Sequence, residues 1–350
     1  MNRFLIKRAV ASFAVAAVLG ATLIAIPAGA SSPPVPSASA VAAALGNAGA
    51  SAGYATNWSS SGSSPVTATN NGMTVSLPKQ ATGQVVLSDN GVTIGMGIPD
   101  SVGASSAQSI GDATTVYTGG APDVAVAAQA DTTGAREAVT ITGPNAPTTY
   151  AFPFTVPAGA SLVPDANGDG GYTLQSTPSK GVTVQYGTIG APWAKDANGN
   201  PVPTSYSVSG DTLIQTVDFT SSTAFPVVAD PMITFGYSVY LNFFGAELDL
   251  YREAMAILGY KYSIALSVGT TCALVAGAAV ALTSLGDLDA ALLAAAMGTV
   301  CGMLIVGGYS GANMGSPFTS AANLPLTTCY QYNIFSLPWT KVEVSAANCL

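Results

Sequence analysis

Between residues 66 and 230 the apolar positions come in short runs, many alternating with polar ones and punctuated by Gly, Asn, Asp and Pro. Val85-Val86-Leu87 and Val92-Thr93-Ile94 flank Asn90-Gly91, the dipeptide that supplies the two positive φ angles of a tight hairpin. The same pattern predicts strands over 115–117, 124–128, 138–142, 150–156, 172–175, 182–186, 206–208, 213–219 and 225–229. About ten strands at this spacing predict two antiparallel sheets packed as a sandwich. The prolines fit edge strands and strand starts, where no ladder donor is lost.

At Pro231 the period changes. Leu241, Phe244, Leu248, Tyr251, Met255 and Leu258 recur at spacings of three and four, which predicts an amphipathic helix with Asn242, Asp249 and Glu253 on its polar side. Two small-residue apolar helices are expected over 263–285 and 290–308, joined at Gly286-Asp287. In such an antiparallel hairpin Cys272 and Cys301 stand at the same height, as a disulfide demands. Tyr330-Phe335 and Lys341-Ser345 predict a closing β-hairpin near Pro338-Trp339, with Cys329 and Cys349 at its open end. Cys272–Cys301 and Cys329–Cys349 are the economical pairing, and the other two connectivities stay open at this point. The fold class expected is therefore α+β and multidomain. An antiparallel β-sandwich over 65–231 is followed by a small disulfide-stabilised helical domain over 232–350 that carries a C-terminal β-hairpin.

The N-terminal end changes the picture of where this fold works. Arg3, Lys7 and Arg8 precede an apolar run from Ala9 to Ile26, and Ala28-Gly29-Ala30 supplies the small residues of a cleavage site. That order predicts a secretory signal peptide over 1–30. Residues 31–64 are rich in Ser, Ala, Pro and Gly, and predict a flexible linker. Cleavage removes three of the ten basic residues and none of the 18 acidic ones, which leaves a net charge of −11. Such a surface repels phosphate backbones, so nucleic acid is not an expected partner. The four cysteines fit an oxidising, extracellular compartment.

Several segments resemble one protein family. Trp193-Ala194-Lys195-Asp196-Ala197-Asn198-Gly199-Asn200-Pro201-Val202-Pro203-Thr204 leads into Tyr206-Ser207-Val208-Ser209-Gly210-Asp211-Thr212-Leu213 and Gln215-Thr216-Val217-Asp218. Phe225-Pro226-Val227-Val228-Ala229-Asp230-Pro231 follows. With Val116-Tyr117 and Pro122-Asp123-Val124, these resemble a family of uncharacterised secreted actinobacterial proteins. The resemblance implies a β-rich domain ending in a PVVADP-like motif, then a variable, cysteine-bearing helical part. It implies no catalytic residues. The family pattern has a His after the Val-Asp pair, where Phe219 stands in this chain. As residues alone, the motif reads as a last strand that Asp230-Pro231 stops before the helical part.

Candidate chemistry is sparse. With no histidine, Ser-His-Asp and Cys-His sites are excluded, together with the commonest zinc ligand. Asp165-Ala166-Asn167-Gly168-Asp169-Gly170 has the spacing of a calcium loop, so Asp165, Asn167 and Asp169 are its candidate ligands. Ser176 stands where an EF-hand needs a bidentate Glu, which favours a plain turn. Asp196-Ala197-Asn198-Gly199-Asn200 repeats the flavour more weakly. Glu247 and Glu253 lie six residues apart, so they do not project together as glycosidase carboxylates would. No enzyme and no resident cofactor are expected, calcium aside. From Tyr262 to Thr340 the charged residues are Asp287 and Asp289 alone, so residues 263–308 form either a buried core or a membrane-inserting hairpin. The function expected is a secreted, extracellular, non-enzymatic module that binds a protein or surface ligand. The alternative is a membrane-active toxin or bacteriocin.

Overall fold

Alternation makes the strands. In Thr149–Thr155, Tyr150, Phe152 and Phe154 are buried while Thr149, Ala151, Pro153 and Thr155 are exposed. In Thr212–Val217, Leu213, Gln215 and Val217 face inward. The computed structural model describes residues 35–50, 66–70, 72–89, 91–100, 107–110, 113–165, 167–179, 181–246, 248–249, 266–267, 313–314, 324–333 and 341–350. The signal peptide expected over 1–30 lies outside them, as do the helix expected beyond Leu250 and the apolar helices with Cys272 and Cys301.

The described chain is mostly antiparallel sheet. Strands β1 (Val66–Asn70), β2 (Met73–Leu77), β3 (Gln84–Asp89) and β4 (Val92–Gly97) form a meander, with Asp89 opposite Val92 at the expected hairpin. It continues through β9 (Thr149–Thr155), β15 (Thr212–Val217) and β14 (Thr204–Ser209). The larger sheet runs in the order β10 (Ala160–Pro164), β11 (Tyr172–Ser179), β12 (Val182–Ile189), β17 (Met232–Phe244), β8 (Gly134–Ile141), β7 (Val124–Ala130), β6 (Thr114–Thr118), β5 (Ala107–Ile110). Off this path, β16 (Val227–Asp230) pairs with β8 and with β13 (Trp193–Lys195), and β20 (Cys329–Asn333) joins β17 to β21 (Lys341–Val344). Leu266–Ser267 (β18) and Asn313–Met314 (β19) make a separate two-stranded pair. Inner faces of the two sheets share one core, which includes Val75, Leu87, Ile94, Phe152 and Leu213 from one sheet and Tyr117, Val126, Val139, Ile141 and Ile233 from the other.

Two sequence expectations need correction. The first is the flexible linker over 31–64, because Ala38–Ala48 forms a helix, α1. Ser37 caps it by accepting the Ala40 N–H at 3.2 Å, and Gly49 ends it at φ 71°. Val41, Ala44, Leu45 and Ala48 form a stripe at spacings of three and four. It seats on Val116, Ala125, Ala127, Ala138 and Val228 of the large sheet's outer face. Composition averaged over the whole segment hid this short stripe of strong helix formers. Burying Val41 and Leu45 contributes about 1.5–3 kcal/mol each. With α1 outside and the second sheet inside, β7 is buried on both faces, which is why Val-Ala-Val-Ala-Ala-Gln-Ala does not alternate in polarity.

The second correction is the boundary at Pro231. The chain does not leave the sheet there: β17 runs for 13 residues, pairs along β12 from Ile233 to Leu241, and meets β8 at Met232–Thr234. Leu241 and Phe244, assigned above to a helix stripe, are strand residues. The run Met-Ile-Thr-Phe-Gly-Tyr-Ser-Val-Tyr-Leu-Asn-Phe-Phe is dense in β-branched and aromatic residues, and that preference outweighs a chance spacing of three. Gly134 makes the junction possible, since a Cβ there would lie 1.9 Å from the Ile233 carbonyl oxygen. The closing hairpin forms as expected, with Cys329 opposite Val344 and Tyr332 opposite Lys341. The Cys329–Cys349 disulfide ties it to a terminal 3-10 turn, Ala346–Cys349.

Candidate functional site

The PVVADP-like segment sits at the junction of sheet and helix. Along β16, Val227 and Ala229 face the inter-sheet core, while Val228 belongs to the cluster around α1. Alternation puts Asp230 on the α1 side with Val228, and Arg136 there with Ala138 of β8. Asp230 is 2% exposed, and its Oδ2 meets the Arg136 Nε at 2.7 Å. Arg136 uses its other nitrogens on the residue just past the α1 cap and on β17: Nη1 donates to the Ala50 carbonyl at 3.0 Å and Nη2 to the Met232 sulfur at 3.4 Å. From β13, Lys195 donates to the Ala48 carbonyl at 3.1 Å, with its amine 5.7 Å from the Trp193 ring centroid. Two cations thus meet the carbonyl end of α1, where the helix dipole is negative. The Tyr206 hydroxyl of β14 donates to the Asp230 carbonyl.

Burial dominates the electrostatics of this group. It pushes the Asp230 carboxyl up to about 7, against the opposing pull of Arg136. It also pushes the Tyr206 hydroxyl well above its ordinary value, with the Asp230 charge adding and Arg136 opposing.

A second carboxyl lies on the other face of β8. Ala135, Val139 and Ile141 belong to the inter-sheet core, so Glu137 points into it as well. It is 0% exposed, and neither carboxyl oxygen has a hydrogen-bond partner among the described residues. Burial raises it well above the ordinary Glu value. Nearby Tyr117 is raised too, by burial and then by the Glu137 charge, and its hydroxyl donates to the Pro78 carbonyl at 2.5 Å.

The calcium-loop candidates form the turn between β10 and β11. Asp165 Oδ1 accepts the Asn167 N–H at 3.3 Å, and Asp169 Oδ1 accepts the Gly171 N–H at 2.9 Å. Gly168 at φ 69° and Gly170 at φ 90° supply its left-handed positions. Each aspartate therefore engages its own backbone, and among the described residues no three His, Cys, Asp or Glu side chains cluster as metal ligands. Asp196 is built alike: it accepts the N–H groups of Asn198 at 2.9 Å and Asn200 at 2.8 Å, and the Asn200 side-chain amide at 3.2 Å. Desolvation raises its carboxyl, but the bonds from Asn200 and Asn198 outweigh it and leave it below the ordinary value.

The structure thus brings Cys329 and Cys349 together, gives Asp165, Asn167 and Asp169 one shared turn, and leaves Cys272 and Cys301 outside the described residues. Sequence reasoning missed Arg136, Asp230 and Glu137. The one available signal was an Arg-Glu pair inside an otherwise apolar strand, with no indication of its partners. Neither Asp230 nor Glu137 meets solvent. Large apolar side chains do reach the surface: Tyr237 is 42% exposed, Val342 55%, Leu326 57% and Leu350 79%. Among the described residues, no helix is long and apolar enough to cross a membrane. Compared with models of protein families and with curated proteins, the chain matches none.

Proposed function

We propose that this chain is an exported, non-enzymatic binding protein, in which the sandwich serves as scaffold and the C-terminal strands as the contact surface. The observation that carries the reading is the placement of the exposed apolar side chains. Tyr237, Leu326, Val342 and Leu350 all belong to β17 or to the chain beyond it, and Val35 is the other large apolar residue so exposed among those described. Leu326, Val342 and Leu350 flank the disulfide-tied strand pair, a placement that suits recognition of an extracellular protein or surface ligand. Inaccessible carboxyls and the missing histidine support a role without catalysis. The disulfide and the signal-like N-terminus support export, as does the resemblance to secreted actinobacterial proteins.

A second reading, membrane insertion through residues 263–308, rests on their near absence of charge. Flotation of the oxidised and the reduced protein with liposomes separates the two. Protein that stays at the bottom in both states, and whose retention on expressing cells is lost on Val342→Asp, is the expected result. Co-flotation would overturn the first reading in favour of the second.

A further inference from the structure

The helix α1 meets the large sheet through side chains and two cation–carbonyl bonds rather than through ladder bonds, so its seat is a contact that can open without unravelling a strand. The segment from Ser31 to Gly72 holds no charged residue, and every charge at the seat comes from the sheet. Those groups are Arg136 from β8, Lys195 from β13 and Asp230 from β16, with the Met232 sulfur of β17 beside Arg136; the Tyr206 hydroxyl of β14 meets the Asp230 backbone carbonyl from the inter-sheet side. Arg136 is shared between the Asp230 carboxylate and the Ala50 carbonyl just past the helix.

We propose that α1 is a proton-linked strap, whose seating on the large sheet and the protonation of Asp230 favour one another. Two arguments give the sign. Seating covers the face of β16 that carries Asp230, and burial favours the neutral acid; lifting the helix returns water and the ordinary carboxylate. The seated state therefore binds a proton between about 4 and about 7 that the lifted state does not, so seating strengthens as pH falls through that window. A neutral Asp230 also releases the full Arg136 charge to the carbonyl end of α1. Glu137 lies on the opposite face of β8, and its proton belongs to global unfolding rather than to the strap.

Hydrogen exchange of the full chain at pH 5, 6, 7 and 8, corrected for intrinsic rates, reads the strap directly. Protection of the Ala38–Ala48 amides is expected to fall by up to about tenfold per pH unit from 5 to 7. Amides of β7, which report global opening, should stay more protected than those of α1 and fall more steeply with pH, because global unfolding releases the Glu137 proton as well as that of Asp230. Asp230→Asn should flatten the α1 profile. Lys195→Met, which removes a cation from α1 and leaves Asp230 intact, should lower protection at every pH with the slope kept. A flat wild-type profile, or a Lys195→Met variant that loses the slope, would overturn the proposal, and both results stand even if Asp230→Asn does not fold.

Discussion

Replacing Glu137 by Leu should make this protein more stable, and increasingly so as pH rises. The side chain is fully buried between the sheets, and both its carboxyl oxygens lack partners among the described residues. Even as the neutral acid, an unbonded polar group in such a place costs about 1–3 kcal/mol. Leu supplies a side chain of similar bulk with no polar atom, so that cost should be recovered at pH 4.5. Ionisation adds the second part. Burial raises the folded-state pKa above the ordinary 4.5, so between those two values the folded protein binds a proton that the unfolded chain has released. Stability then falls as pH rises, by about 1.4 kcal/mol per unit for this one group, until the folded value is passed. The gap between Glu137→Leu and wild type should therefore start near 1–3 kcal/mol at pH 4.5 and widen by about 1.4 kcal/mol for each unit above it. Urea unfolding under oxidising conditions from pH 4.5 to 7.5 measures both terms, and Asp230, common to both proteins, cancels. A variant less stable than wild type, or a gap that stays constant with pH, would refute the reasoning and mean that the Glu137 carboxylate has a partner.

Other outcomes follow from the same structure. Arg136→Met strips the partner from a carboxylate that is 2% exposed, and should cost about 3–5 kcal/mol at pH 8, less at pH 5 where Asp230 is neutral; urea titration at the two pH values checks this. Replacing Cys329 and Cys349 by Ser opens a crosslink across a separation of 20 residues and should cost about 3 kcal/mol by chain entropy, read as a lowered melting temperature. Calcium added to the full chain should give neither heat nor thermal shift, because Asp165 and Asp169 already hold their own turn; a micromolar isotherm lost on Asp169→Asn would show otherwise.

The sheet content was legible wherever a local rule applied. Asn90-Gly91 marked β3 and β4, and Tyr150-Phe152-Phe154 showed its alternation in β9. The Cys329–Cys349 closure could be inferred because both cysteines lie within reach of one short hairpin. What the sequence concealed depends on non-local partners. Nothing near Glu137 in the chain reveals that its strand is covered on both sides. Asp230 looked like a strand stop, because Arg136 lies far upstream and Ala50 further still. At Leu241 and Phe244 a spacing of three mimicked a helix, until pairing with β12 and β20 settled their conformation.

The position of β17 carries a consequence for the order of assembly. It is the wedge between β12 and β8, so the two halves of the large sheet are joined by a strand that comes after both in the chain. Across a membrane or off the ribosome, the N-terminus emerges first. The first 231 residues must then wait with the facing edge of β12 unpaired and with Gly134–Arg136 of β8 open beside the stretch that β16 already covers, each a template for aggregation. Closure is late and non-local, which makes for slow folding. Until residue 244 has arrived, those open stretches stay available to a second chain.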